Sequence, residues 1–251
     1  MIQIKSAREI ERMRRAGRIA ASALATAGRA VQAGITTHEL NQIIHQYIVD
    51  HGAIPTFLGY NDFPAAACIS VNDQVIHGIP GKTVLKDGDL VKIDVGATWD
   101  GYVGDCANTF PVGKVSEDAE RLIRVTRQSF YEGIKFARAG MRVHDISAGI
   151  QKYVEDNGFS VVRSFVGHGV GAEMHEDPEV PNFGKAGTGA RLCAGMTLAI
   201  EPMVNQGTFQ VNILDDGWTV RTKDGKLSAH YENSILITPG DAEILTIACE
   251  D

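Results

Sequence analysis

Four carboxylates and one imidazole in this chain have the residue types that a pair of close divalent cations requires: Asp94, Asp105, His168, Glu201 and Glu232. Each lies near an apolar, β-type run, such as VKIDVG around Asp94 and TLAIEPMV around Glu201. Burying an ionised carboxylate in such a run is costly unless a positive charge meets it, and a metal pair would do so. An oxygen-rich set with one imidazole suits Mn²⁺, Fe²⁺ or Co²⁺, and Zn²⁺ is also compatible. Two such cations roughly 3.5–4 Å apart lower the pKa of a shared water and polarise a carbonyl. Hydrolysis would then need neither a serine nor a cysteine nucleophile, and Cys106, beside Asp105, is expected to be a small buried residue. The Gly-His-Gly setting of His168 also allows a loop histidine, and Gly78 allows the same for His77.

The elements that must position these groups are legible in an internal repeat. Gly34-Ile-Thr-Thr-His38-Glu39-Leu40 leads into NQIIHQYIVDHG, and Gly140-Met-Arg-Val-His144-Asp145-Ile146 leads into SAGIQKYVEDNG, an offset of 140 − 34 = 106. His38 matches His144, Tyr47 matches Tyr153, Asp50 matches Asp156 and Gly52 matches Gly158. The repeat accounts for His38 and His144 as structural residues at equivalent helix starts. A helical pattern precedes each copy, over about 6–32 and about 116–138, with Ser6 and Ser116 as N-caps and Gly34 and Gly140 closing the turns. β-type runs follow at 66–71, 89–99 and 102–111, and again at 160–166, 196–205, 209–213 and 229–238. Asp87-Gly88, Asp215-Asp216-Gly217 and Asp224-Gly225 supply the turn signals.

Gly88 stands six residues before Asp94, and Gly195 six before Glu201. Two related halves, about 1–112 and 113–251, would set these acids face to face. The expectation is an α+β fold in which two pseudo-symmetric helix-helix-strand halves share a curved, mainly antiparallel sheet with helices on its outer face. No Pro-, Gly- or Ser-rich linker separates the halves, so a single catalytic domain over 1–251 is expected.

Bulk composition narrows the function class. The 251 residues are 44% hydrophobic and 22% charged, an ordinary globular balance. A net charge of −7 argues against nucleic acid or an acidic membrane as the main partner. The amino-terminal MIQIKSAREIERMRR is charged, and no run approaches the roughly 18 apolar residues of a membrane span. A cytoplasmic monomer is the expectation. Cys68, Cys106, Cys193 and Cys249 form no CxxC pair, and reduced thiols are expected.

Five segments in order carry a resemblance: CISVNDQVIHGIP (68–80), VKIDVGATWDGYVGDCANTF (91–110), SFVGHGVGAEMHEDPEVPNFG (164–184), MTLAIEPMV (196–204) and GWTVRTKDGKLSAHYENSILIT (217–238). Along essentially its whole length the chain resembles the type I methionine aminopeptidases of the pita-bread metallopeptidase fold. The resemblance implies that Asp94 chelates one metal, that His168 and Glu201 bind the other, and that Asp105 and Glu232 bridge the two. It makes His77 and His175 substrate-contacting catalytic histidines. It also implies that the methionine side chain enters a pocket of Phe57, Tyr60, Phe63, Cys68, Met174 and Trp218. An apolar, aromatic and sulfur-containing wall of this kind suits a thioether.

Glu201 is the candidate proton shuttle between the attacking water and the leaving amine. His175 would donate to the developing oxyanion, and His77 to the peptide group beside the cut. The implied substrate is a peptide or nascent-chain N-terminus, reached near the ribosome, with a small second residue. The chain departs from well-known bacterial members at Phe57 (often Cys), Phe63 (Tyr), Met174 (Phe) and Val103 (often His). Two other readings remain: a prolidase-like or aminopeptidase P-like relative, normally carrying a further amino-terminal domain, and a non-catalytic pita-bread binding module.

Overall fold

A computed structural model describes residues 1–249. In the first half, helix α1 (Ala7–Ala30) and helix α2 (Thr37–Asp50) precede strands β1 (Ile54–Pro55), β2 (Cys68–Val71), β3 (Gln74–Ile76), β4 (Leu90–Trp99) and β5 (Tyr102–Pro111). In the second, α3 (Glu117–Ile134) and α4 (Val143–Asp156) precede β6 (Ser160–Val161), β7 (Gly167–Gly169), β8 (Glu176–Val180), β9 (Thr197–Ile200) and β10 (Met203–Asn205). The remaining strands are β11 (Val211–Ile213), β12 (Val220–Thr222), β13 (Ser228–His230), β14 (Glu232–Leu236) and β15 (Glu243–Ile244).

The repeat in the sequence is a repeat in the backbone. Helices α2 and α4 start and stop at the same offset, 143 − 37 = 156 − 50 = 106. Gly34 and Gly140 both have φ of 97°, a conformation costly for a residue with a Cβ. The helix starts are capped as expected. Ser6 and Glu9 form a reciprocal capping box on α1, and the Ser116 side chain accepts from Ala119 N on α3.

Strands β1-β4-β5-β14-β9-β7-β8 form the main sheet in that order, with β2 added on β4 and β15 on β14. Every ladder in it is antiparallel. The period-2 alternation of a strand separates two faces. Val95 and Cys106 point into an apolar core with Ile19, Leu40 and Ile44 of α1 and α2. Ile200 and Ile235 point into the matching core with Leu122, Ile146 and Ile150 of α3 and α4. On this face α1 approaches closely because Gly104 lies against Gly17, where a Cβ on Gly104 would sit 2.4 Å from Gly17 Cα. The opposite face is left for polar side chains.

Several elements differ from the sequence expectation. The run 196–205 divides at Glu201-Pro202 and the run 229–238 at Tyr231. Proline has no N–H to continue a ladder, so β10 and β13 leave the main sheet and pair with each other, Met203 opposite His230. Helix α3 ends at Ile134 rather than near 138 because the following backbone turns to the sheet, Ala139 N donating to Thr238 O at 2.9 Å. Strands β3, β8 and β12 are too short or too polar to show as alternating runs. Glu176–Val180 pairs along β7 even though four of its five residues stay accessible.

Candidate metal centre and adjoining pocket

The acids converge through sheet register. Asp94 lies opposite Ala107 and Asp105 opposite Gly96 on the β4–β5 ladder, and Glu232 lies opposite Ala107 from the other side. All three therefore project from one face. His168 pairs with Ala199 in β9, two residues before Glu201, so the imidazole and Glu201 share that face too. His168 Nε2 is 3.8 Å from Asp105 Oδ2 and 3.5 Å from Glu201 Oε1. Rather than a loop, His168 occupies a strand between β8 and β9, and its flanking glycines serve close packing. A Cβ at Gly167 would lie 2.4 Å from Ala199 O, and one at Gly169 2.2 Å from Asp177 O.

Burial makes this cluster electrostatically demanding. Asp105 and Glu232 are 2% exposed, His168 7% and Glu201 9%. Burial, then the neighbouring carboxylates, holds the pKa values of Asp94, Glu201 and Glu232 well above the usual range, and burial raises that of Asp105. Burial, reinforced by His175, lowers His168 to about 4, so its ring is neutral and able to ligate. Asp94 Oδ1, Asp105 Oδ1 and Glu232 Oε1 are buried without a hydrogen-bond partner among the described residues. Unpaired buried oxygens are rare and costly. Four carboxylates carry −4 when ionised, which two divalent cations would balance. The donor set, its distances and its unpaired oxygens thus fit divalent metal.

Beside the cluster opens a pocket of about 740 Å³, mouth included, lined by Phe57, Tyr60, Phe63, Cys68, His77, Met174, His175 and Trp218 as well as by the four acids and the histidine above. Phe57, Phe63, Cys68 and Met174 are buried in its wall. Gly96 makes room for Phe57, since a Cβ there would approach the ring to 2.6 Å. Phe63 meets Trp218 edge to face at 5.0 Å between ring centroids. Val103 belongs to the same apolar cluster. Burial pushes the Cys68 thiol up, with Asp94 and Asp105 adding to it, so the thiol stays protonated and acts as a packing group. Cys106 is 1% exposed on the helix side of the sheet.

The pocket histidines are held differently. His77 has φ of 57°, rare for a residue with a side chain, and its ring stands edge-on to Phe165 and Trp218. Desolvation lowers its pKa to about 4. His175 is exposed at the mouth, its Nδ1 2.7 Å from Tyr60 Oη and its ring 4.3 Å from that of His168. His38 and His144 lie outside this pocket at the helix starts, and His144 Nδ1 meets Thr188 Oγ1 at 2.7 Å.

Sequence reasoning missed four residues here. Asn61, at φ 47° in the short 3₁₀ turn Tyr60–Asp62, lines the pocket. Asn182 is fully buried and donates from Nδ2 to Glu201 O at 2.9 Å, fixing the backbone where β9 ends. Lys92 shares the face of Asp94, is buried, and donates to Asn72 O at 2.6 Å; burial lowers its pKa to about 7. His230 lies at 1% exposure beside Glu232. Its position two residues before Glu232 was the available signal, since i and i+2 share a strand face.

Known proteins resemble this chain along nearly its whole length. The family model for metallopeptidase family M24 matches residues 11–239. A methionine aminopeptidase of Clostridium perfringens is 58% identical, covering 98% of this chain and 99% of the relative. The crystal structure of methionine aminopeptidase from Thermotoga maritima superposes with a TM-score of 0.97 at 46% identity, covering 98% and 99% of the two chains. Prolidase from Pyrococcus furiosus shares the fold at a TM-score of 0.79 and 22% identity, and this chain spans 66% of it. With a family match over most of its length and full-length relatives at this identity, the chain belongs to metallopeptidase family M24.

Proposed function

We propose that this protein removes the initiator methionine from peptide and nascent-chain N-termini whose second residue is small. It would do so as a single catalytic domain that acts as a cytoplasmic monomer, close to the ribosome. The observation that carries the reading is one pocket in which an apolar, sulfur-containing wall abuts a buried cluster of four carboxylates and an imidazole. Support for methionine also comes from full-length relatives that bear the name methionine aminopeptidase. No helix among the described residues is long and apolar enough to cross a membrane.

In this reading Asp94, Asp105, His168, Glu201 and Glu232 would hold the cations, Asp94 serving one, His168 and Glu201 the other, and Asp105 and Glu232 both, with Mn²⁺, Fe²⁺ or Co²⁺ as the favoured pair and Zn²⁺ also compatible. Bound divalent cations would supply Lewis acidity, lowering the pKa of water and polarising the scissile carbonyl. The protein's own groups do the rest. Glu201, at the inner end of the pocket, accepts the proton of the attacking water and returns it to the leaving amine. His175, steadied by Tyr60 Oη, donates to the oxyanion as it forms. His77, oriented by Phe165 and Trp218, donates to the peptide group next to the cut. Phe57, Phe63, Cys68, Met174 and Trp218 enclose the methionine side chain and keep water from it.

The test is cleavage of Met-Ala-Ser and Met-Lys-Ser peptides by metal-stripped protein reconstituted with each divalent cation in turn. Release of methionine from the first peptide and not the second, only after metal is added, is the expected result. Turnover undiminished in the stripped, chelated protein would overturn the metal-dependent reading.

A further inference from the structure

The orphaned histidine behind the acids carries a further step, which rests on the metal-binding reading above. His230 is the last residue of β13 and Glu232 the first of β14; Tyr231 between them turns to the opposite side, its ring against Phe130 and Tyr131 of α3. The His230 ring thereby points at the acids. Its Nε2 lies 3.8 Å from Glu201 Oε2 and 3.7 Å from Glu232 Oε2. A donor atom each from Asp94, His230 and Glu232 lie within 4.8 Å of one another. Among the described residues neither ring nitrogen has a hydrogen-bond partner, at 1% exposure.

These distances discriminate between roles. They are too long for hydrogen bonds to the carboxylates. They match the spacing of donors that share one cation, since two atoms each about 2.1 Å from an ion stand roughly 3–4.2 Å apart. The same edge lengths, 3.8 and 3.5 Å, join His168 to Asp105 and Glu201. Glu201 turns Oε1 toward His168 and Oε2 toward His230. The acids are therefore flanked by an imidazole on each side.

We infer that His230 is a second imidazole ligand, binding through Nε2 the cation that Asp94 and Glu232 share, so that each cation of the pair has one nitrogen donor. Among the described residues His230 Nδ1 has no partner of the kind that Gly169 O, at 2.8 Å, gives His168 Nδ1. An acceptor for the ring's other N–H strengthens a ligand histidine, so the cation at His230 is the more weakly held. A nitrogen donor also biases that position toward Co²⁺ over Mn²⁺, following ligand preference and the Irving–Williams order.

Proton NMR of the Co²⁺-loaded full chain tests this by counting. Each ligating imidazole gives one hyperfine-shifted, solvent-exchangeable N–H resonance, and two are expected in the wild-type protein. His230→Gln should remove one and His168→Gln the other. By calorimetry, His230→Gln should weaken one Co²⁺ equivalent at least about tenfold and Mn²⁺ less. Two bound Co²⁺ with a single shifted imidazole resonance, or His230→Gln with both equivalents unchanged, would overturn the inference and leave the metal-site reading standing. Failure of the wild-type protein to bind Co²⁺ would overturn both. The wild-type spectrum separates two imidazoles from one, so a variant that did not fold would not hide the answer.

Discussion

Replacing Asp105 by asparagine should stabilise the protein without metal and destabilise it with metal. In the chelated protein, burial raises the Asp105 pKa from its ordinary 3.8 to about 7. At pH 8 the carboxyl is ionised in folded and unfolded chains alike, and the folded chain bears the desolvation cost. Below pH 4 it is protonated in the folded chain and largely protonated in the unfolded one, and the cost vanishes. Its contribution to stability is thus present at low pH and is lost as pH rises from about 4 through about 7. At 1.36 kcal/mol for each pH unit, the full difference is on the order of 4 kcal/mol. Asparagine, uncharged at every pH, escapes it. For a chain of this length 1 kcal/mol moves Tm by roughly 2–4 °C. Thermal melts in chelator should coincide near pH 4 and separate by pH 8, with Asp105→Asn melting higher by up to about 15 °C. Saturating Mn²⁺ should reverse the order, because two cations, each at 100 times its Kd, add about 2.7 kcal/mol apiece and about 5.4 kcal/mol together to a chain that can bind both, more than the roughly 4 kcal/mol at stake. A chelated variant that melts below wild type at pH 8, or a gap independent of pH, would refute the reasoning.

Three further outcomes bear on the site. His168→Ala should lose high-affinity binding of one divalent equivalent, since the remaining donors cannot supply an imidazole at that position; calorimetry with two undiminished equivalents would contradict it. His175→Ala should keep metal and fold yet lose about 10²–10³ in kcat with a smaller change in KM, measured on Met-Ala-Ser. Met174→Ala should weaken cleavage after methionine by roughly 1–3 kcal/mol and admit bulkier side chains, read by comparing Met-Ala-Ser, Leu-Ala-Ser and Phe-Ala-Ser. Preference of the unmodified enzyme for leucine or phenylalanine would refute the methionine assignment alone.

The sequence exposes what depends on spacing and hides what depends on closure. The 106-residue repeat reads directly into α2 and α4 and into paired glycines, because a positive φ demands glycine wherever it falls. Asp94 and Glu201 announce themselves because a carboxylate inside an apolar run has no cheap explanation. The strand break at Pro202 is a local signal weaker than the continuous run TLAIEPMV around it, yet it sends β10 to pair with β13 and brings Met203 opposite His230. His230 is hidden for the same reason. In sequence it is one histidine in a short segment, and its meaning comes from two carboxylates contributed by residues 201 and 232, whose approach is fixed by the β14–β9 register of Asn233 with Ile200. Asn182 and Lys92 are silent in the chain because their partners are backbone carbonyls, Glu201 O and Asn72 O, which carry no residue identity. A polar residue that serves the site through the main chain leaves no pattern to read. One that shares a strand face with an established acid, as His230 does with Glu232, leaves a pattern of period two, and that pattern belongs beside the carboxylate count whenever a dinuclear cluster is read from sequence.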